Sequence, residues 1–205
     1  MREPIEEIFL AAELLDKAAD EHLAENHQKA AELIRAAEIP AIRSWTESLW
    51  GNKRDNPDQQ LYRRYRKVNN SPLRAVRLRE RMPSRAVQNE IIKRYGRHCV
   101  FCGIPLISAD VRKYLRRFYP DDLSWGDKNP LQHAAFQCMW LQFDHILPHS
   151  RGGDNSVENV VPTCAGCNFG KDERTLEEHG LIDPRAGEMK LSTWDGLERV
   201  RLKRK

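Results

Sequence analysis

The first forty residues carry apolar positions at helical spacing. Apolar side chains recur every three or four positions over residues 5–18 and again over residues 23–37, and Pro40 is expected to end the run. The pattern predicts a mainly helical N-terminal region, residues 1–60. Because one or two amphipathic helices cannot bury both faces alone, we expect this region to pack on the rest of the chain, on a second copy in a homodimer, or on a partner protein.

A strand, a loop, a second strand and a helix are predicted to follow one another in the C-terminal half. Residues 140–147 are rich in apolar and aromatic side chains and are followed by Pro148, which is typical of a β-strand. A glycine-containing turn covers residues 150–155, and a short second strand is expected over residues 157–162, with a helix after Cys167. Together with the N-terminal helices, this order predicts an α+β protein.

Charge is divided unevenly along the chain. Residues 1–60 hold seven basic and thirteen acidic side chains, whereas residues 61–98 hold twelve Lys or Arg against two Glu. The basic segment begins with tyrosines between cations, as expected of an arm that contacts phosphates and stacks on bases. A solvated linker is the alternative. A short amphipathic helix is predicted between Ser84 and Gly96. The candidate nucleic-acid contacts of the arm are Arg63, Arg64, Arg66 and Lys67.

Four of the five cysteines form two pairs, each with two residues between its members. Both thiolates of such a pair can reach one tetrahedral ion about 2.3 Å away, and two pairs complete a shell of four thiolates. Four protein ligands leave no open position, so the predicted ion is a structural Zn²⁺. Disulfides are the alternative, although such pairs in an intracellular chain usually bind metal. The candidate ligands are Cys99, Cys102, Cys164 and Cys167, and Cys138 is expected to be a buried small hydrophobe.

Polar motifs that a zinc site does not require lie beside the second cysteine pair. The run Asp-His-Ile-Leu-Pro begins at Asp144, two glycines follow, then comes Asn159, and Asn168 directly follows the last cysteine. In this order the motifs resemble those of the HNH endonuclease family, in the subtype stabilised by a zinc ion on four cysteines. The resemblance covers residues 99–171 and implies a ββα-metal nuclease core.

The resemblance also implies a role for each motif residue. His145 is the general base, Asp144 and Asn168 hold the catalytic divalent cation, and Asn159 braces the loop and orients the base. Oxygen ligands suit Mg²⁺ or Mn²⁺, and a neutral imidazole with an ordinary pKa of about 6.5 can accept a proton from water. Successive residues of a regular strand point to opposite faces. Asp144 and His145 can therefore share one site only where the strand bends or ends.

Two further cations, Arg151 and Lys171, lie beside these motifs in the sequence and are candidate contacts for phosphate oxygens. The chain is thus predicted to have four parts. They are the helical region (1–60), the basic arm and its helix (61–98), the HNH core (99–175) with an insertion (104–140), and a C-terminal extension with a basic tail (176–205).

The expected function is metal-dependent hydrolysis of DNA phosphodiester bonds, as nicking or double-strand cleavage, with RNA left open as a substrate. Similar modules serve restriction, antiphage defence and mobile elements, which the sequence does not separate. The alternative is a zinc module without catalysis that binds nucleic acid or a partner protein. With no secretory signal visible and no apolar stretch long enough to span a membrane, a cytoplasmic protein is expected.

Overall fold

The computed structural model describes residues 3–50, 79–186 and 192–202. The predicted arm cations Arg63, Arg64, Arg66 and Lys67 lie outside these residues, as does the end of the basic tail. Short 3₁₀ turns at Asn129–Leu131, His149–Arg151, Glu177–His179 and Glu198–Arg201 connect or follow the main elements. Those elements, in chain order, are α1 (Glu6–Leu23), α2 (His27–Ala36), α3 (Pro40–Trp50), α4 (Arg85–Tyr95), α5 (Ala109–Arg116), α6 (Ala134–Cys138), β1 (Leu141–His145), β2 (Val160–Cys164) and α7 (Ala165–Lys171).

The predicted order of strand, loop, strand and helix is confirmed by β1, β2 and α7. The two strands pair antiparallel, with His145 opposite Val160. The second strand begins at residue 160 rather than 157, because the backbone N–H groups of Asn159 and Val160 both donate to the carbonyl of Ser156. These bonds close a turn where the strand was expected. A small sheet among many helices makes the protein α+β, as predicted.

The N-terminal region is helical, as predicted, but Pro40 begins a helix instead of ending one. Pro40 is the first residue of α3, a position where a backbone N–H would have no helical partner and where the fixed φ of proline suits the first turn. The chain turns just before it, where the N–H of Ile39 donates to the carbonyl of Ala37 at 3.0 Å. Residues 3–50, the described part of this region, therefore fold as three helices.

The three N-terminal helices pack on the cysteine-bearing part of the chain. Side chains from α1, α2 and α3 belong to the same buried apolar cluster as side chains from α6 and the cysteine pairs. This is the first of the three arrangements that the sequence left open, and a homodimer or partner protein finds no support in the described residues. Fully or almost fully buried members of the cluster include Ile8, Leu15, Ile34, Ile42, Phe136 and Met139.

Polar contacts tie the same helices to distant segments. His133 Nε2 lies 2.9 Å from the carbonyl oxygen of Ile34, and His22 Nδ1 lies 2.8 Å from the hydroxyl of Tyr119. In the C-terminal extension, the Arg199 guanidinium bonds to the Asp16 carboxylate at 2.7 Å. The N-terminal region thus holds both the insertion and the C-terminal extension in place.

Helix α4 forms where the sequence predicted it. The Ser84 hydroxyl accepts a hydrogen bond from the N–H of Val87 at 3.4 Å, Ile91 is fully buried, and Gly96 follows the helix with a φ of +71°. A serine N-cap and a glycine with positive φ are the usual ends of such a helix. Within the described residues, none of the helices has the length and apolar content needed to cross a membrane.

Candidate active site and metal centre

The four paired cysteines converge on one point. Their sulfur atoms all lie within 4.8 Å of one another, and the Sγ atoms of Cys102 and Cys164 are 3.7 Å apart. Thiolates arranged tetrahedrally at about 2.3 Å from a zinc ion are about 3.8 Å from each other. Cys99, Cys164 and Cys167 are buried, and all the cysteines are free thiols. The cluster can therefore hold a metal ion with the closed, four-thiolate shell of a structural zinc site.

Local backbone geometry explains why each pair has two intervening residues. Cys164 caps helix α7, and its sulfur accepts a hydrogen bond from the N–H of Cys167 at 3.4 Å. The first pair sits in a tight turn in which Gly103 N–H donates to the carbonyl of Cys99 at 2.8 Å and Gly103 has a φ of +77°. Both turns direct two sulfur atoms to the same side. Cys138 lies apart from them, and burial raises the pKa of its thiol well above the ordinary value.

Asp144 and His145 lie at the C-terminal end of β1, and both are buried, with 6 % and 7 % of their surfaces exposed. Strand β1 ends at His145. The two neighbouring side chains can therefore share one site, which a continuing regular strand would not allow. The Asp144 carboxylate faces the fully buried ammonium group of Lys171, 3.3 Å from Oδ2, and this oxygen makes no hydrogen bond to the described residues. Burial raises the pKa of Asp144 to about 6, although the charge of Lys171 opposes the shift.

The imidazole of His145 is oriented by Asn155, a residue for which no role was expected. The side-chain amide nitrogen of Asn155 donates to the carbonyl of Glu80 at 2.8 Å and contacts that of Met82 at 3.4 Å. Because carbonyl oxygens only accept, Asn155 Oδ1 must face His145, where it lies 2.8 Å from Nε2. Nε2 therefore carries the proton, and Nδ1 has the free lone pair. Burial also lowers the pKa of His145, which favours the neutral ring.

Asn159 joins the two ends of the loop between the strands. Its Oδ1 accepts from the N–H of Leu147 at 2.9 Å, while its Nδ2 donates to the carbonyls of Leu147 and Asp154 at 3.2 and 2.8 Å. Gly153 is required at this crossing, because a Cβ atom there would lie 1.8 Å from the carbonyl oxygen of Leu147. The loop is thus held closed next to His145.

Helix α7 supplies the other side of the site. Asn168 is half-buried and stands one turn before Lys171, and residues three apart share a helix face. Since Lys171 reaches Asp144, Asn168 lies on the helix face that is turned toward the end of β1. Strand and braced loop thus bring Asp144, His145 and Asn159 close together, and the helix that carries Asn168 packs against β1 through Lys171.

Residues 135–180 match the HNH endonuclease family model. No curated protein and no solved structure matches the chain. The matched residues include both strands, the braced loop, helix α7 and the second cysteine pair, while the first cysteine pair lies outside them. The match indicates a nuclease, and hence a nucleic-acid substrate.

The remaining predicted contacts of the HNH segment have partners within the chain. Lys171 is fully buried against Asp144 and is not a surface cation in this structure. The Arg151 guanidinium, largely covered, bonds to the carboxylate of Glu178 at 3.0 Å. That carboxylate also accepts from the N–H of Thr175 at 2.9 Å, in a capping box. A phosphate contact by Arg151 would therefore be shared with Glu178.

Proposed function

We propose that this chain is a metal-dependent endonuclease that hydrolyses phosphodiester bonds of DNA. The observation that carries the proposal is the environment of His145, a buried imidazole whose Nε2 contacts Asn155 Oδ1. Burial lowers its pKa, which favours the neutral ring with a lone pair on Nδ1. A ring fixed in one orientation with one available nitrogen suits a general base, which takes the proton of an attacking water.

The adjacent carboxylate supports a cation site. Asp144 offers a buried carboxylate whose Oδ2 pairs only with the Lys171 ammonium among the described residues. Asn168 carries an amide oxygen and stands one turn before Lys171 on α7. These are the oxygen ligands that Mg²⁺ and Mn²⁺ prefer, so the residues present suit a catalytic divalent cation. Such a cation, when bound, supplies positive charge to the phosphate and to the departing 3′ oxygen.

The other residues have supporting roles in this proposal. Lys171 opposes the rise in the pKa of Asp144 and so favours the ionised carboxylate that a cation needs. Asn159 and Gly153 keep the loop closed beside His145. The four cysteines would hold a zinc ion where β2 ends and α7 begins. Such an ion would take no part in the reaction, because four thiolates leave it no open position.

A plasmid assay tests the proposal. Purified protein is incubated with supercoiled plasmid in Mg²⁺ or Mn²⁺, next to His145→Ala and a control, His27→Ala, which changes an exposed histidine of α2. We expect nicked or linear product from the wild type and the control, and a rate lower by about 10²- to 10⁴-fold for His145→Ala. Zinc content and circular dichroism establish that the variant is folded.

Two results would count against the proposal. Cleavage by His145→Ala at the wild-type rate would remove the general base from the mechanism. A wild-type protein that binds DNA but cuts it with neither metal would favour the alternative, a zinc module that binds nucleic acid without catalysis.

A further inference from the structure

A pocket of about 260 Å³ opens beside the HNH segment, next to the exposed ring of Phe169 on α7. Two aromatic rings and three side-chain amides line it, and none of these side chains carries a charge. Phe169 is 59 % exposed, and Trp140 is half-buried just before β1. The lining residues among those described are Asn129, Gln132, Gln137, Trp140 and Phe169.

The aromatic wall of the pocket is supported from behind. The guanidinium carbon of Arg112 lies 3.3 Å from the centre of the Trp125 ring and 5.1 Å from that of Trp140. The two indole rings are perpendicular, with centres 5.9 Å apart. Arg112 is buried between them, so this basic residue of α5 acts as a packing group. Trp140 is therefore held in place before any ligand arrives.

The amide wall is equally well fixed. Arg43 of α3 donates to the backbone carbonyls of Asn129 and Gln132 at 3.1 and 2.7 Å, and Gln132 Nε2 donates to the carbonyl of Gly126 at 3.0 Å. A Cβ atom on Gly126 would lie 2.7 Å from that of Leu131, so the loop closes this tightly only with glycine. A wall built in this way presents its amides in one arrangement.

One polar atom at the pocket lacks a partner. Gln137 is only 2 % exposed, and its Nε2 donates to Gln132 Oε1 at 3.2 Å. Its own Oε1 is buried and accepts no hydrogen bond from the described residues. A buried acceptor without a donor is unfavourable. A ligand that carries an N–H group would relieve this cost once the Gln137 amide turns toward the pocket that it lines.

We propose that the pocket binds one nucleobase of the substrate, unstacked from its neighbours. Side-chain amides hydrogen-bond the edges of bases and aromatic rings stack on their faces, whereas phosphates are bound mainly through cations. The volume lies below the range of about 300–1,000 Å³ usual for drug-sized ligands, which suits one planar group better than a peptide segment. Because Phe169 directly follows Asn168, the base belongs to a nucleotide near the bond that is cut. This inference rests on the proposed function.

An abasic scan tests the pocket. A fluorescein-labelled single-stranded DNA of about twelve nucleotides is made in versions that each lack one base, and binding is measured by anisotropy without added divalent cation, so that nothing is cleaved. For the wild type we expect affinity to fall about five- to hundredfold when the base that enters the pocket is missing. Repeating the scan in a duplex distinguishes a base that is already single-stranded from one that must be flipped out.

The same scan is run on Phe169→Leu, which loses the ring but stays apolar. We expect this variant to bind intact DNA as weakly as the wild type binds DNA that lacks the base in the pocket. Removing any single base should then cause no further loss of affinity, since the base and the ring form one contact and their losses do not add. Phe169→Tyr keeps a ring and should restore the wild-type profile. Phe9→Leu, which changes an exposed ring on α1, is the matched control and should behave as wild type.

The proposal is wrong if no missing base lowers the affinity of the wild type. It is also wrong if the same missing base lowers the affinity of Phe169→Leu as much as that of the wild type. Because binding is measured without catalysis, failure here is distinct from failure of the nuclease. A flat scan from a protein that cuts plasmid would remove the pocket alone. A clear minimum from a protein that never cuts would leave the pocket and remove the nuclease.

Discussion

The two ends of the β1–β2 ladder share one backbone but differ in how complete they are. At one end Leu141 lies opposite Cys164, beside four like side chains that together fill the shell of one ion. At the other end His145 lies opposite Val160, beside a carboxylate oxygen without a hydrogen bond and an imidazole nitrogen with a free lone pair. The cysteine end supplies all four ligands that one ion needs, whereas the Asp-His end has an oxygen and a nitrogen that can still bind a ligand.

The difference shows how one very small sheet can combine a site for a stabilising ion with polar groups that can bind a ligand. Buried polar groups are unfavourable when their hydrogen-bonding capacity is not filled, and the Asp144 carboxylate is compensated by its ion pair with Lys171. The cysteine cluster, which can hold a metal ion, lies at the other end of the same two strands. Different effects are therefore expected when each end is changed.

The largest effect is expected at the cysteine end. Cys164→Ser removes one ligand and also changes the N-cap atom of α7, so we expect loss of zinc and of the folded nuclease segment, since structural zinc sites have apparent binding free energies of about 10–16 kcal/mol. Metal analysis and thermal unfolding by circular dichroism measure both. The control Cys138→Ala should keep a full zinc complement. A Cys164→Ser protein with bound zinc and an unchanged melting temperature would show that this end of the ladder does not depend on a complete set of four thiolates.

The second-largest effect is expected when the buried ion pair at the Asp-His end is broken. Lys171→Met leaves the Asp144 carboxylate without its opposing charge, which should lower the free energy of unfolding by about 3–5 kcal/mol at pH 7.5. The double variant Asp144→Asn with Lys171→Met should recover much of this loss, because a neutral pair needs no charge compensation. Urea unfolding without added divalent cation measures each variant.

The loss from Lys171→Met should shrink at pH 5. Burial raises the pKa of Asp144 to about 6, so the folded state binds this proton more tightly than the unfolded chain does, and the stability that the group contributes falls as pH rises between about 4 and 6. At pH 5 the carboxyl is largely protonated and needs the lysine less. Equal losses at pH 5 and 7.5 would show that Lys171 stabilises the fold through packing alone.

The smallest effect is expected for Asn155, which acts on the reaction only through His145. Asn155→Ala frees the imidazole, and we expect the single-turnover rate to fall about ten- to hundredfold with little change in DNA affinity. Asn155→Asp retains an acceptor for Nε2 but loses the donor to the Glu80 carbonyl, so its rate should lie between those of Asn155→Ala and the wild type. Nitrogen NMR shifts of His145 report whether the Nε2-protonated form is lost in Asn155→Ala, which a purely structural role would not change.

The exposed amide of Asn89 on α4 gives a matched control. Asn89→Ala should cut at the wild-type rate. If Asn155→Ala also cut at the wild-type rate, His145 would need no positioning by Asn155.

Sequence reasoning predicted the cysteine end well and the Asp-His end only in part. Two-residue spacing confines paired thiolates to one ion, and the apolar and aromatic content of residues 140–147 predicts the strand beside them, so local rules were enough. The start of β2 was wrong by three residues, because the turn at Ser156 depends on two backbone hydrogen bonds. Pro40 was also misread, because proline is as suitable at the start of a helix as after its end.

The contacts that the sequence missed join residues far apart in the chain. Asn155 bonds to the backbone of residue 80, and no spacing or composition relates the two positions. Lys171 was expected to face phosphate, yet its direction depends on how α7 packs against β1. The pocket likewise combines the insertion with α7. Such features arise from tertiary packing, which local patterns do not encode.

The hydrogen bonds from Arg43 to the loop at residues 129–132 link the N-terminal helices to the shape of the pocket. The two carbonyls that it holds belong to residues that line the pocket, while Arg43 itself lies in the N-terminal region, far along the chain from the HNH segment. A substitution in α3 can therefore reshape the pocket without altering a single HNH motif. If the pocket binds a base as proposed, changes in the N-terminal helices would alter which nucleotides the protein favours, while the residues around His145 stayed the same.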